Sequence, residues 1–332
     1  MVWLLLVNEV SINLYYSGGG GIMAKGLKMF FARQSKNDDQ LVSISAITKD
    51  SKDGLICEYC DANVTWVDSF VRLGRTISPY LRLGPNQEHS ASCKNNVRTA
   101  VEVLVAKSTN IEDTKDIFLS EQGTFTFRMN VLLEAESDFK RAKKAYEDEC
   151  DSEVRVRKNR EYKASERRLS NYFNSAAGIA KIWERIEESS DKKLLSELVV
   201  IEFNGKKIKW NNFFYDESRY PILHKKGDGI EHPVAIAFTV KETSKHIDTD
   251  SSNFYTVKGD KYIVHSAEKQ VIHYVPSLNA HTDDYFNNLQ EGDELIIIGK
   301  PKCPIGEPWR HLIYKNLKFW VSNEKQLTKL SE

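Results

Sequence analysis

The sequence predicts an α+β chain in three parts: a β-rich N-terminal domain, a charged helical middle, and a C-terminal domain whose short strands form a small barrel-like unit. Three observations predict it. Two cysteine/histidine pairs fall among short apolar runs between residues 57 and 93; residues 134–169 are densely charged without Pro or Gly; and beyond Pro221 one strand-like run follows another. The 332 residues suffice for two or three cores, and 41% hydrophobic residues is an ordinary globular content. Basic and acidic residues balance at 47 each, so bulk charge argues for no partner and any electrostatic targeting is local.

The chain opens on "MVWLLLVNEVSINLYYSGGGGIMAKG". Its apolar run is shorter than the ~20 residues a membrane helix needs, and no Lys or Arg precedes it as in a secretory signal. Gly21 and Gly26 have the spacing of a phosphate loop, but Leu27 stands where its lysine belongs. Ser-Gly-Gly-Gly-Gly is what a purine-rich ribosome-binding site would encode, and it lies just before Met23. The expectation is therefore that Met23 is the start, with residues 1–22 a mis-translated leader or tail; a Gly-rich linker is the alternative.

Residues 23–135 are read as the N-terminal domain, with strand-like runs "KMFFARQ", "LVSISAI" and "TFTFRMNVLL" around a central module. In that module Cys57 and Cys60 form a C-x2-C pair and, after 28 intervening residues, His89 and Cys93 form an H-x3-C pair. Three thiolates and one imidazole close a tetrahedral Zn²⁺ site and leave no position for a catalytic water, so the expected cofactor is structural zinc. "NVTWV" and "PYLRL" between the pairs read as short strands, with turns at Gly74, Pro79 and Gly84-Pro85. "SCKNNVRTAVEVLVAKS" reads as a helix leaving the site with Val97, Ala100, Val101, Leu104 and Val105 on one face. The five cysteines are few and odd in number, which favours a metal site in a reducing, cytoplasmic setting over a disulfide scaffold.

The order C-x2-C, strand pair, H-x3-C, with "YLRLGPNQEHSASC" around the second pair, resembles the small zinc module of competence-protein (CoiA-like) families and related uncharacterised bacterial mobile-element proteins. The likeness covers about 40 residues. In that family the module precedes a restriction-type nuclease domain with a carboxylate and an acidic-x-Lys triplet on an apolar strand, a pattern that holds Mg²⁺. Here Asp113-Thr114-Lys115, Asp138-Phe139-Lys140 and Glu161-Tyr162-Lys163 lie in polar or helical stretches, so only the zinc module carries over and no catalytic residue is assigned.

Residues 136–190 are read as the charged helical region. Within "RVRKNREYKASERR", Arg155, Arg157, Lys158, Arg160, Lys163, Arg167 and Arg168 stand against Glu161 and Glu166, a set that either contacts phosphates or is a solvated face. Residues 191–230 form a hairpin and connector. "ELVVIEFNGKKIKWNNFFYD" turns at Asn204-Gly205, a strong hairpin signal, and Lys207, Lys209 and Trp210 are either a stacking surface over a basic groove or core aromatics beside wet lysines.

From 231 to 322 the runs "HPVAIAFTVKE", "NFYTVKG", "KYIVHSA", "QVIHYVP", "DELIIIGKPK" and "HLIYKNLKFWV", with a helix "AHTDDYFNNLQ" between the fourth and fifth, fit an OB-like barrel; 323–332 is a tail. Its candidate ligand-facing residues are Tyr255, Lys258, Lys261, Tyr262, Lys300, Trp309 and Arg310. The functional expectation is a zinc-stabilised protein that binds nucleic acid, single strands included, in a mobile-element, defence or DNA-processing setting, with a protein partner open and no membrane role. The alternatives are a divergent metal-dependent nuclease and a non-enzymatic protein-interaction scaffold.

Overall fold

The computed structural model describes residues 26–35, 40–72, 75–109, 117–121, 123–148, 152–186, 189–249, 252–265, 270–306, 308 and 310–330. The expected leader at 1–22, Gly74, the Asp113–Lys115 triplet, Cys150 and Trp309 lie outside the described residues.

The N-terminal unit begins with a three-stranded antiparallel sheet ordered β2-β1-β3, where β1 is Phe31–Arg33, β2 Leu41–Ser43 and β3 Ile56–Cys57. "NVTWV" and "PYLRL" form β4 (Val64–Val67) and β7 (Tyr80–Leu83), which pair antiparallel. Between them β5 (Phe70–Arg72) and β6 (Arg75–Ile77) extend the ribbon outward. Met29, Ile47, Leu55, Val64, Leu81 and Leu83 pack with Cys57 and Cys93 into a small core of their own.

Helix α1 (Val97–Thr109) leaves this unit and buries Val97, Val101 and Val105 in a second, larger core, with Ala100 and Leu104 half-buried beside them. This is the face the spacing predicts. The core continues through β8 (Phe118–Glu121), β9 (Thr124–Arg128), α2 (Met129–Glu147), α3 (Ser152–Glu184), α4 (Ser189–Leu198), β10 (Val199–Phe203) and β11 (Lys206–Ile208). Strand order is β11-β10-β9-β8, with β10 parallel to β9, so residues 118–128 belong to the sheet of the helical unit. The strand expected over "TFTFRMNVLL" stops at Arg128. Its partner β10 turns away at Asn204-Gly205 just past the Glu202–Arg128 pair, and the helix-forming residues that follow continue as α2. That turn has φ of 50° at Asn204 and 70° at Gly205, the left-handed pair a tight hairpin requires.

The second strand of the hairpin is shorter than its sequence suggests. After Ile208 the chain makes one helical turn, α5 (Trp210–Phe213), before β12 (Phe214–Tyr215) and α6 (Tyr220–Lys226). Trp210, 8% exposed, stacks on Trp183 at 5.0 Å and 11°. It is core, and its ring is not offered to a ligand.

The third core lies inside a curled sheet made of β13 (Val234–Thr249), β14 (Ser252–Gly259), β15 (Tyr262–His265), β16 (Val271–Ala280), β17 (Glu294–Gly299), β18 (Pro301–Lys302), β19 (Leu312–Trp320) and β20 (Leu327–Lys329). The order is β18-β19-β16-β14-β13-β17-β20, with β15 joining beside β16 and β12 beside the start of β13; the β16–β19 and β12–β13 pairs are parallel and the others antiparallel. The first half of β13 pairs with β17 and its second half with β14, and register shifts between Val240 and Lys245 bend it from one neighbour to the other. Since only Lys300 separates β17 from β18, both ends of the curl arrive at one chain segment. The expected helix at "AHTDDYFNNLQ" is a single 3₁₀ turn, Asp283–Tyr285, capped by Thr282. Helix α3 packs across β17 and β13, which joins the barrel-like sheet to the helical core. Among the described residues no helix is long and apolar enough to cross a membrane.

Candidate metal centre and nucleic-acid interface

The metal-ligand pairs separated by 28 residues in sequence converge at the base of the β4–β7 ribbon. One ligand atom from each of Cys57, Cys60, His89 and Cys93 falls within 4.8 Å of all the others, and all three cysteines are free thiols. The Cys57 and Cys93 sulfurs are 3.7 Å apart, and His89 Nδ1 is 3.5 Å from the Cys60 sulfur and 3.4 Å from that of Cys93. A tetrahedral ion with metal–sulfur bonds of about 2.3 Å and a metal–nitrogen bond of about 2.05 Å would need edges of about 3.8 and 3.5 Å. The four residues therefore fit a metal ion, with Nδ1 as the histidine donor.

Local chemistry shapes each half. Cys57 ends β3, and the turn to Cys60 is closed by the Cys57 N–H donating to the Ala62 carbonyl at 2.9 Å. Arg33 on β1 donates to the Cys57 and Cys60 carbonyls at 3.2 and 3.0 Å. The Tyr59 N–H and the Asn95 amide, each 3.5 Å away, point at the Cys57 sulfur. The hydrogen bond from the Cys93 thiol, then those with His89, the Tyr59 N–H and the Asn95 amide, hold the Cys57 thiol down to about 3 against burial. Cys93 is pushed up by sharing that bond. Buried Asn95 also accepts from Arg185 at 3.1 Å, and Arg185 donates to the Lys28 carbonyl at 2.7 and 2.9 Å. A chain of hydrogen bonds thus runs from Cys57 to the C-terminal end of α3.

Gly26, set aside above as a failed phosphate-loop glycine, has its place here. Its φ is +71°, and a Cβ on it would come within 2.6 Å of the Asn95 carbonyl and 2.7 Å of the His89 ring. Its N–H donates to buried Asp191 at the start of α4. No other residue type fits where the chain crosses the imidazole.

The basic segment lies on α3. The side chain of Arg155 lies outside the described residues. Lys158 is half-buried and Arg168 pairs with Asp138 of α2, so neither stands with the exposed group. Arg157, Arg160, Lys163 and Arg167 are exposed, and at 3.6 residues per turn they share a stripe roughly 120° wide, opposite the face that buries Leu169 and Tyr172. Lys207 and Lys209 are exposed around the β10–β11 hairpin.

On the curled sheet, Tyr255 and Tyr262 pack toward the core, whereas Lys258 is exposed on the outer face; Lys261, Lys300 and Arg310 are exposed in connections between strands. The outer face holds residues the sequence reading missed. Pairing registers set Ile263, His273 and Tyr314 in one row across β15, β16 and β19. Another row runs Glu242, Lys258, Ser277, Lys318, Lys302 and a third Lys245, Thr256, Asn279, Trp320. Trp320 is 42% exposed and meets His281 edge-on at 4.7 Å and Phe254 at 6.1 Å, while Ile263 is 48% exposed. The sequence signal was the two-residue period of "HLIYKNLKFWV", in which Tyr314, Lys318 and Trp320 share a parity opposite to that of buried Leu317 and Phe319.

No family model and no curated protein matches this chain. Among solved structures it is similar to the small single-stranded DNA-binding protein from Streptomyces coelicolor, with a TM-score of 0.19 and 11% identity over 26% of this chain and 85% of that one. At that TM-score the likeness says nothing about what this chain binds.

Proposed function

We propose that this protein is a zinc-stabilised binder of nucleic acid, with single strands held on the outer face of the curled sheet. The observation that carries the reading is that face itself, where Phe254, His273, Tyr314 and Trp320 lie among Lys258, Lys302 and Lys318. Aromatic rings stack on the faces of unpaired bases of any identity, and lysines between them neutralise the backbone. Paired bases do not present those faces, which is why the ligand is a single strand. We read the sheet as an OB-type barrel, a fold whose second and third strands present oligonucleotides; β14 and β16 hold those positions, with β17 and β18 together as the fourth strand and β19 as the fifth. The basic stripe on α3 supplies a second contact for the backbone.

Three cysteines and one histidine, able to close four tetrahedral positions, support zinc as the metal. It would act as a structural clamp, and Cys57, Cys60, His89 and Cys93 would hold it. The setting, a mobile-element, defence or DNA-processing system, rests on the resemblance of the zinc module to the competence-protein family.

The test is binding of the full chain to labelled single- and double-stranded DNA and RNA across a salt series, with metal quantified in the same preparation. Preference for single strands, with log affinity falling by about 0.7 per neutralised phosphate for each log unit of salt, is expected. No binding at low salt, in a preparation with one zinc per chain, would replace this reading with that of an interaction scaffold. Mg²⁺-dependent cleavage abolished by carboxylate substitution would replace it with the nuclease.

A further inference from the structure

A cavity of about 460 Å³ lies between the β10–β11 hairpin and α6, away from the outer face of the curled sheet. Lys206, Lys207 and Lys226 line it against Glu231, the one carboxylate among the described lining side chains, and Phe203, Ile208 and Ile230 form an apolar wall. Tyr215 reaches it from β12. That residue is 0% exposed, and its hydroxyl has no hydrogen-bond partner among the described residues. A buried hydroxyl left unpaired costs on the order of 1–3 kcal/mol, so such a group in a cavity wall is a donor whose acceptor comes from outside.

Positive charge lies over the face of the Tyr215 ring. The Arg219 guanidinium lies 4.9 Å and the Lys226 ammonium 5.9 Å from the centre of the Tyr215 ring. Burial and then Arg219 push Lys226 down, while burial pushes the Tyr215 phenol up and keeps it a neutral donor. Asn212 holds the Lys226 ammonium at 2.5 Å and lines the same cavity. Three lysines and one hydroxyl converging on a space within the ~300–1,000 Å³ range of ligand sites call for a compact multivalent anion with an apolar attachment.

We propose that this cavity binds a phosphate monoester, with the phosphate at Lys226, Lys206 and the Tyr215 hydroxyl and the attached group against Phe203, Ile208 and Ile230. Two sources share that chemistry: a free nucleoside monophosphate and the phosphorylated end of a nucleic-acid strand. The second source rests on the nucleic-acid reading above, whereas the first does not.

The experiment is calorimetric titration of the full chain at fixed ionic strength with adenosine 5′-monophosphate, adenosine, and an oligothymidylate with either a 5′-phosphate or a 5′-hydroxyl. The same series is run on Tyr215→Phe and Lys226→Gln. The monophosphate is expected to bind and adenosine not. Loss of the one hydroxyl should weaken binding about tenfold or more in Tyr215→Phe, because hydrogen bonds to charged acceptors are the stronger class; loss of the lysine should weaken it at least as much. A 5′-phosphate preference in the oligonucleotides, absent from both variants, identifies strand ends as the source. Monophosphate binding with no such preference identifies free nucleotide. Failure of the monophosphate together with equal binding of the two oligonucleotides overturns the proposal and leaves the outer-face reading standing. Unchanged monophosphate affinity in both variants, each melting as the parent does, also overturns it.

Discussion

Replacing Cys60 by Ser tests the metal centre with little other disturbance, because Cys60 is half-exposed while Cys57 and Cys93 are buried. A serine there opens no cavity and removes one thiolate of three. The module's own aliphatic core is six large side chains, Met29, Ile47, Leu55, Val64, Leu81 and Leu83; at roughly 2 kcal/mol each they contribute on the order of 12 kcal/mol. A structural zinc ion contributes about 10–16 kcal/mol in small metal-folded domains. The metal thus matches the whole aliphatic core, and the module should not hold its fold without it. Residues that hydrogen-bond a metal ligand are worth about 10–100-fold in metal affinity, so loss of a direct ligand should exceed that range. The assay is chelator competition with elemental analysis, followed by hydrogen exchange. Cys60→Ser is expected to lose the ion and to lose protection across 55–96, while α3 and the curled sheet keep theirs. Chelator treatment of the parent should give the same exchange pattern. Metal content and melting temperature equal to the parent's would refute the reasoning.

Three further outcomes follow from the same geometry. Trp320→Ala should weaken single-strand binding about tenfold, within the ~1–3 kcal/mol of one stacked base, and leave the melting temperature unchanged because the ring is exposed; fluorescence anisotropy reads the first and calorimetry the second. Lys258→Gln with Lys318→Gln should reduce the slope of log affinity against log salt by about 1.4 for single strands, measured over a salt titration. Gly259→Ala should destabilise the curled sheet by about 1–3 kcal/mol. Its Cβ would lie 2.8 Å from the ring carbons of both Phe238 and Pro276, and a thermal melt shows the drop.

The candidate metal ligands were legible in the sequence because a tetrahedral ion constrains residue type and close spacing, and both survive in the linear order of Cys57, Cys60, His89 and Cys93. The hairpin at Asn204-Gly205 and the buried stripe of α1 were legible for a related reason: each depends on local geometry alone. Other readings were ended or decided by a partner distant in sequence. The strand over "TFTFRMNVLL" ends where β10 leaves it, and Trp210 turns inward because Trp183, 27 positions earlier, waits beneath it. Arg168 looked equal to its basic neighbours until Asp138 of α2 was found opposite it.

What the sequence determined by itself is whatever short-range chemistry dictates: the α+β composition, the ligand set, the helical stretch rich in charge, and a succession of strands. Which face of those strands meets solvent was decided by the tertiary structure. The curl of β13 from β17 to β14 sets the parity of every strand paired after it, and that parity turns Tyr262 inward while Tyr314, Lys318 and Trp320 share the outer face. The lysine-lined cavity is likewise a product of packing, since Lys206 and Tyr215 lie on separate elements and meet Lys226 only when α6 folds back beside the hairpin. Side-chain type is written in the chain, but the convergence of charge and the exposure of a ring are properties of chain closure, and no local pattern encodes them.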